Sequence, residues 1–202
     1  MAAVISHLTD ISEEDELRAR FYGLLAALLA KPADAEMLGR LSKIEGDETD
    51  IGIGLRALAN VARATAPEAV ETEFNNLFIG IGKGELVPFG SYYLTGFLNE
   101  KPLAKLRDAM EHHGISRADE LHEPEDNIAS VCEMMAGLIT GAFGQPVSLA
   151  EQRAFFNAHV GNWAGQFFAD LEAASGAVFY MPVGTVGRAF LAIEEEAFEM
   201  TA

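Results

Sequence analysis

The sequence predicts an all-α fold, a single-domain helical bundle of about ten helices that spans residues 1–202. Apolar residues recur at intervals of three and four along most of the chain, which is the spacing of one helix face. Serine, proline and glycine residues stand where such runs begin or end, as they do at helix ends. The segment 178–181, VFYM, is the only strand candidate, and it is too short and has no partner strand.

The amino-terminal half begins with a helix that Ser12 and Asp15 can cap and that the pair Lys31-Pro32 ends. Four residues spaced by three or four positions form its expected buried face: Leu17, Phe21, Leu25 and Leu28. A further helix begins at Pro67 and carries an apolar face that includes Phe74. The other helices expected in this half occupy 33–41, 55–65, 92–98 and 102–113.

A polar link at 114–123 separates the two halves and is a candidate hinge. Pro124 is expected to start a long apolar helix that ends at 141–144. The later helices contain the capping box formed by Ser148 and Glu151, and the apolar residues Trp163, Phe167 and Leu171. In the last helix, 182–200, Val186, Phe190 and Ile193 are expected to be buried and Glu194, Glu195 and Glu196 to be mostly solvated.

The charge balance excludes one large class of partners. The chain has 31 acidic and 14 basic side chains, a formal net charge of -17, and no basic stripe. Nucleic acid is therefore excluded as a partner, because a phosphate backbone is bound by clustered lysine and arginine. A field of this sign attracts cationic partners, including basic peptides.

The remaining composition indicates a cytoplasmic protein. The single cysteine, Cys132, can form no intrachain disulfide and lies in an apolar run, where it is expected to be a core residue. The amino terminus has no secretory signal pattern. The longest apolar run, 21–30, is about half as long as a membrane span, so no stable membrane insertion is expected.

A glycine-rich stretch, FNNLFIGIGKGELVPFGSYYLTG at 74–96, places three glycines around Lys83. It does not match a phosphate-binding P-loop, which requires glycine where Leu77 stands and serine or threonine where Gly84 stands. The segment 52–57 satisfies G-x-G-x-x-A, but no strand precedes it. Neither stretch predicts a phosphate site.

An enzyme remains an alternative on the strength of one acidic cluster, which comprises Glu120, Glu123, Glu125 and Asp126. Paired carboxylates can act as acid and base, although carboxylates at a helix start are also explained by the helix dipole. The histidines lack metal-ligand spacing, and no metal or other cofactor is predicted: His7, His112, His113, His122 and His159.

The loop after the glycines suits a peptide that is both hydrophobic and cationic. Carboxylates bind guanidinium groups, and an apolar groove can be lined by Leu86, Val87, Pro88, Phe89 and Tyr92. A second alternative is an acidic helical scaffold that binds some other protein through the surface at 86–97.

Three motifs resemble the TorD/DmsD/NarJ family of redox-enzyme maturation chaperones. The first, from Glu73 to Leu94, reads E-x-x-x-L-F-I-G-x-G-x-G-E-L-x-P-F-x-S-x-Y-L. The second is EPEDN at 123–127, which is similar to the family's E-P-x-D-H. The third is HVGNW at 159–163, followed by Phe167, Phe168 and Leu171. Order and spacing agree from Phe21 to about Phe198.

The resemblance implies a cytoplasmic, all-helical chaperone, not an enzyme, that binds the twin-arginine leader of a molybdenum-cofactor oxidoreductase subunit. Such a chaperone holds the subunit until its cofactor is inserted and so prevents premature export. Weak binding of guanine nucleotide is implied by the family alone. The client is not identified, and the hinge at 114–123 allows a monomer or a domain-swapped homodimer.

The family's binding residues match seven positions here: Leu77, Phe78, Pro88, Phe89, Pro124, Asp126 and Asn127. Glu123 is added because of its charge. The sequence departs from the family at Asn127, where the signature has histidine, and at Asn162, where it has proline. We expect the glycines to allow a close backbone approach, and Pro88 to turn the apolar side chains toward 123–127.

Overall fold

The computed structural model describes residues 11–80, 84–117 and 123–200, and within them the chain is all-α, as predicted. These residues form ten α-helices, one π-helical turn at Asn75–Ile79 and no strand. The helices are α1 (Glu13–Ala30), α2 (Ala35–Leu41), α3 (Asp50–Ala64), α4 (Pro67–Phe74), α5 (Gly90–Thr95), α6 (Lys101–His112), α7 (Ile128–Thr140), α8 (Leu149–His159), α9 (Ala164–Ala173) and α10 (Tyr180–Met200).

The central helix is α7, which packs along α1, while α10 packs on α9 and α3. Of the 13 residues of α7, nine are buried, as expected of a helix that is apolar on all sides. Cys132 lies on it, fully buried and free, which confirms its prediction as a core residue. Burial raises the pKa of its thiol to about 12.

Side-chain caps explain why several helices begin where they do. Ser12 caps α1 by accepting from the Asp15 N–H, as predicted. Both hydrogen bonds of the predicted capping box at Ser148 and Glu151 are present at the start of α8. Thr49 caps α3, so this helix begins at Asp50, earlier than expected, and the segment 52–57 lies inside it. A helix interior offers no cradle for phosphate, because its N–H groups are already bonded.

Two expectations about helix boundaries and burial are wrong. Pro124 does not start α7, because Asn127 caps it and α7 begins at Ile128. Leu17 and Ile193 were expected in the core but are 55% and 50% exposed. In α1 the buried face is rotated toward Tyr22, where the helix contacts α10.

Glu194 corrects a third expectation, because it is 1% exposed rather than solvated. Arg18 donates from Nε and Nη2 to its two carboxylate oxygens at 2.6 and 2.9 Å, and the Tyr22 hydroxyl donates at 3.0 Å. Arg18 also donates to Asp15 and Gln152, so the network joins α1, α8 and α10. Burial opposes the charge of Arg18, yet the hydrogen bond and charge of Glu194 leave the guanidinium pKa raised.

Two further features bear on the sequence predictions. No helix among the described residues has the length and apolar character needed to cross a membrane. Residues 118–122 of the polar link lie outside the described residues, so exchange of helices through this link stays a prediction.

We expect Glu194→Ala to lower the free energy of unfolding by about 3–5 kcal/mol, because it leaves a largely buried guanidinium without its main partner. Urea denaturation followed by circular dichroism measures the change. The matched control is Glu195→Ala on the exposed side of the same helix, which should change stability by about 0.5 kcal/mol or less. Equal effects of the two substitutions would contradict the buried network.

Candidate functional site

A groove of about 340 Å³ lies where the end of α1, the π-helical turn, the loop before α5 and the start of α7 meet. Its apolar lining includes five side chains: Phe74, Phe78, Met110, Met134 and Phe143. Four charged residues also line the groove: Arg117, Glu123, Glu125 and Glu133. The groove therefore presents aromatic and sulfur-bearing surface next to carboxylates.

The loop before α5 is joined to the segment before α7 by backbone hydrogen bonds. The Ile128 N–H donates to the Pro88 carbonyl, and the Gly90 N–H donates to the Asp126 carbonyl, both at 2.9 Å. Phe89 and Asn127 form an isolated antiparallel bridge between these bonds. The first two sequence motifs are thus directly paired, which fixes Pro88 and Phe89 against 123–127, as the sequence analysis expects.

The glycine stretch folds back onto the π-helical turn. The Leu86 N–H donates to the Leu77 carbonyl at 2.8 Å, and the Glu85 N–H donates to the Asn76 carbonyl at 3.2 Å. A Cβ atom on Gly84 would lie 2.5 Å from the Leu77 carbonyl oxygen, so only glycine allows this approach. Gly82 and Lys83 lie outside the described residues.

Five of the eight predicted binding residues line the groove: Phe78, Pro88, Phe89, Glu123 and Asn127. The other three do not. Leu77 is fully buried in the core, and Pro124 is half-buried in the turn that precedes α7. Asp126 is 3% exposed, and its side chain contacts the start of α5 instead of the groove.

Asp126 holds the start of α5. Its Oδ2 atom accepts the Ser91 N–H at 2.6 Å, which satisfies one of the free N–H groups in the first turn of that helix. Together with its carbonyl bond to Gly90, the residue attaches α5 to the segment before α7. Its side chain therefore acts on the groove through the position of Pro88 and Phe89.

Asn127 occupies the position of the family histidine and uses both ends of its amide. Its Oδ1 accepts the Ala129 N–H at 2.9 Å and so caps α7. Its Nδ2 donates to Glu123 at 3.2 Å. An amide suits this position because one side supplies the acceptor of the cap and the other a donor to the carboxylate.

Glu125 is already paired with two guanidinium groups. Arg107 donates to its Oε2 from Nε at 3.0 Å and from Nη2 at 2.8 Å, and Arg117 approaches its Oε1 at 3.5 Å. Partial burial would raise the pKa of Glu125, but the Arg107 hydrogen bonds and both positive charges hold it below the usual value. A general acid requires a raised pKa, so the arrangement does not favour the enzyme alternative at this residue.

The other two carboxylates of the groove have no arginine or lysine partner among the described residues. Glu133 is exposed on α7 and makes no hydrogen bond or ion pair there. Glu123 is exposed and accepts the Asn127 amide. These two side chains are the acceptors most open to a cationic ligand.

Phe143 is a groove residue that sequence reasoning missed. It lies in the connection between α7 and α8, and its ring packs directly on Gly137, where a Cβ atom would lie 2.1 Å from the ring. The signal available in the sequence is the glycine inside the apolar run of α7. Nothing in the spacing shows that a ring beyond the helix end returns to cover it.

Two glutamates of the first motif bind the segment before α10. Glu73 accepts the N–H groups of Val178, Phe179 and Tyr180 at 2.8 to 3.0 Å. Glu85 accepts the Ser175 N–H and hydroxyl and the Gly176 N–H, and these bonds lower its pKa. The strand candidate at 178–181 is therefore the capped start of a helix.

Weak binding of guanine nucleotide stays a prediction, because Lys83, the cation of the glycine stretch, lies outside the described residues. The carboxylate of Glu85 directly follows Gly84 and already occupies the N–H groups at 175–176. A phosphate chain requires cations and free N–H groups, and here it would face a negative charge.

The surface at 86–97 is divided between two faces. Pro88 and Phe89 line the groove, whereas Tyr93 packs on Trp163 with ring centroids 5.6 Å apart. Beyond them Phe97 is 69% exposed.

A family model described as nitrate reductase delta subunit matches residues 45–169, which is more than half of the chain. The chain belongs to this family, the TorD/DmsD/NarJ family of the sequence analysis. The match includes the first two motifs and the Trp163 region of the third. The predicted resemblance is thereby confirmed.

The sequences of curated relatives are similar to this chain over most of their length. "Chaperone protein TorD" of Vibrio vulnificus is 28% identical over 79% of this chain and 84% of its own. The protein of the same name from Vibrio atlanticus is 24% identical over 94% and 98%. The family consists of redox-enzyme maturation chaperones, not enzymes, and this chain is one of them.

A solved structure supports the fold. The crystal structure of a candidate redox enzyme maturation protein from Archaeoglobus fulgidus matches with a TM-score of 0.57 at 21% identity. The match covers 87% of this chain and 94% of the other. At this identity the likeness concerns the helical fold alone.

We expect Asp126→Ala to lower the free energy of unfolding by about 1–3 kcal/mol, because the Ser91 N–H at the start of α5 loses its buried acceptor. Urea denaturation measures the change. Glu123→Ala, at an exposed position three residues earlier, should leave stability within about 0.5 kcal/mol of the native value. If the two substitutions destabilise equally, Asp126 does not hold α5 in the way described.

Proposed function

We propose that this chaperone binds the twin-arginine leader of a molybdenum-cofactor oxidoreductase subunit in the groove. The observation that carries the proposal is the combination of an aromatic apolar lining with two carboxylates, Glu123 and Glu133, that have no arginine or lysine partner among the residues that the structure describes. The combination matches a ligand with both properties.

A leader peptide has a cationic segment followed by about 7–15 apolar residues. Its guanidinium groups can form paired hydrogen bonds with carboxylates, which an ammonium group cannot reproduce. Its apolar residues can pack on Phe78, Met134 and Phe143. A groove of about 340 Å³ accommodates a few side chains. We therefore propose that it binds the junction between the cationic and the apolar segment, not the whole leader.

The charge of the whole chain supports the same ligand. A net charge of -17 raises the local concentration of a cationic leader and accelerates the encounter. Binding in the cytoplasm would cover the leader until the client subunit has received its cofactor, and so delay export. The cofactor belongs to the client, and we propose none for the chaperone.

The groove is formed by both sides of the polar link. Met110 comes from α6 before the link, Ile115 and Arg117 come from the start of the link itself, and Ser130, Glu133 and Met134 come from α7 after it. One chain supplies all of these residues, so we propose that a monomer binds one leader. In a homodimer that exchanges the helices after the link, the same groove would form with α7 of the second copy.

The dependence of binding on paired arginines in the ligand distinguishes the leader proposal from the scaffold alternative. A scaffold that binds a partner through exposed apolar residues such as Phe97 would bind equally well without paired arginines in the ligand. The leader proposal requires them.

We expect Glu123→Gln with Glu133→Gln to weaken binding of a labelled peptide, with two adjacent arginines before an apolar run, by roughly tenfold. Each lost exposed ion pair contributes up to about 1 kcal/mol. Fluorescence anisotropy at about 0.15 M salt, where the Debye length is about 8 Å, measures the affinity. A peptide with glutamine in place of both arginines should bind weakly to the native chain and equally weakly to the variant.

The matched control is Glu195→Gln with Glu199→Gln, which makes the same change of charge on exposed positions of α10. Its affinity for the arginine peptide should stay within about twofold of native, because the long-range field is screened by salt. If both double variants weaken binding equally, the two groove carboxylates are not the acceptors.

In cells, capture with the tagged chaperone should recover a molybdoenzyme precursor that still carries its leader, identified by mass spectrometry. Recovery should be lost when the two arginines of that precursor are changed to glutamine, and should decline at raised salt. Recovery of no such precursor from cells that express several would overturn the proposed function.

A further inference from the structure

Among the described residues, Glu125 is the one groove carboxylate whose acceptor atoms face arginines of the chain itself. Its side chain is 10% exposed, so an ion pair there is screened less than one at the exposed rim. Arg107 donates twice to Oε2, while Arg117 reaches Oε1 by a single contact of 3.5 Å. A contact of that length lies at the outer limit of a hydrogen bond.

The two arginines also differ in their relation to the groove. Arg117 lines it and is 37% exposed at its side chain, whereas Arg107 does not line it. The weaker of the two contacts to Glu125 is therefore the one made by the arginine that lines the groove. Arg117 and Glu125 are both groove residues, so a guanidinium group bound there can compete with Arg117 for Oε1.

We propose that Arg117 is a built-in competitor for the leader's arginines at Glu125, and that this exchange limits how tightly the leader is held. The inference rests on the proposed function. One arginine of the leader binds a rim carboxylate, Glu123 or Glu133. Its neighbour is then held close to Glu125 and displaces Arg117 from Oε1, because linkage to the first arginine raises its effective concentration.

The exchange has two physical consequences. In the absence of a leader, Arg117 helps to neutralise a carboxylate that is too buried to be left unpaired at no cost. In the complex, return of Arg117 to Oε1 assists dissociation, since it restores the interaction that the leader replaced. A chaperone must release its client, and an internal arginine supplies a competitor at the point of contact.

Arg117→Gln tests the proposal with the labelled two-arginine peptide. We expect about two- to fivefold tighter binding, expressed mainly as a slower dissociation rate, because the cost of displacing a partly exposed ion pair is removed. The peptide with two glutamines should bind both chains alike. Arg117→Lys, which keeps the charge but cannot form the planar contact, should give a smaller gain.

Two matched variants separate exchange at Glu125 from a general effect of charge. Arg56→Gln removes the same charge from an exposed pair with Glu48 and should leave affinity unchanged. In a Glu125→Gln background, Arg117→Gln should produce no further gain. Thermal unfolding of each variant shows whether it is folded at the temperature of the binding experiment.

The outcomes are distinguishable. If the native chain binds the two-arginine peptide and Arg117→Gln leaves it unchanged or weaker, the competitor role is overturned and the proposed function stands. A gain that persists in the Glu125→Gln background, or that Arg56→Gln reproduces, also overturns it, because the effect is then general repulsion. If neither the native chain nor Arg117→Gln binds the peptide, both proposals fail.

Discussion

The groove depends on one short backbone pairing between two loops that are distant in sequence. Pro88 and Gly90 exchange hydrogen bonds with Asp126 and Ile128 on either side of a single antiparallel bridge. A buried loop must satisfy its N–H and C=O groups, and this pairing does so where no sheet is available. The Asp126 carboxylate extends the pairing to the first turn of α5. Both signature motifs are therefore held in place by the same few bonds.

Carboxylates in this chain divide into those that hold the fold and those that are exposed at the groove. Glu73, Glu85 and Asp126 each accept backbone N–H groups, and Glu194 accepts a guanidinium in the core. Glu123 and Glu133 remain exposed at the groove. The net charge of -17 is thus only partly a property of the surface, and the acidity of the two signature motifs is mainly structural.

Glu125 lies between these two classes, because it is nearly buried and yet lines the groove. Its pairing with arginines of the chain stabilises the carboxylate and also gives it the chemistry that a guanidinium ligand requires. If an arginine of the leader replaces Arg117 at Glu125, binding would be specific for a guanidinium group and would still be reversible. Such a balance suits a chaperone, whose client has to leave.

The sequence by itself determined the all-α class, most helix starts, the core position of Cys132 and the family, because periodicity and capping are local properties. Five of the eight residues that it predicted to bind a peptide line one groove. Only the tertiary structure showed that Leu77 faces the core, that Asp126 holds the start of α5, that Glu194 is buried and that Phe143 lines the groove. Glu194 and Asp126 depend on partners far away in the chain, Arg18 and Ser91 respectively. The burial and the hydrogen-bond partners of a side chain depend on which elements pack together in the folded chain. The spacing of residues along the sequence does not show which elements these are.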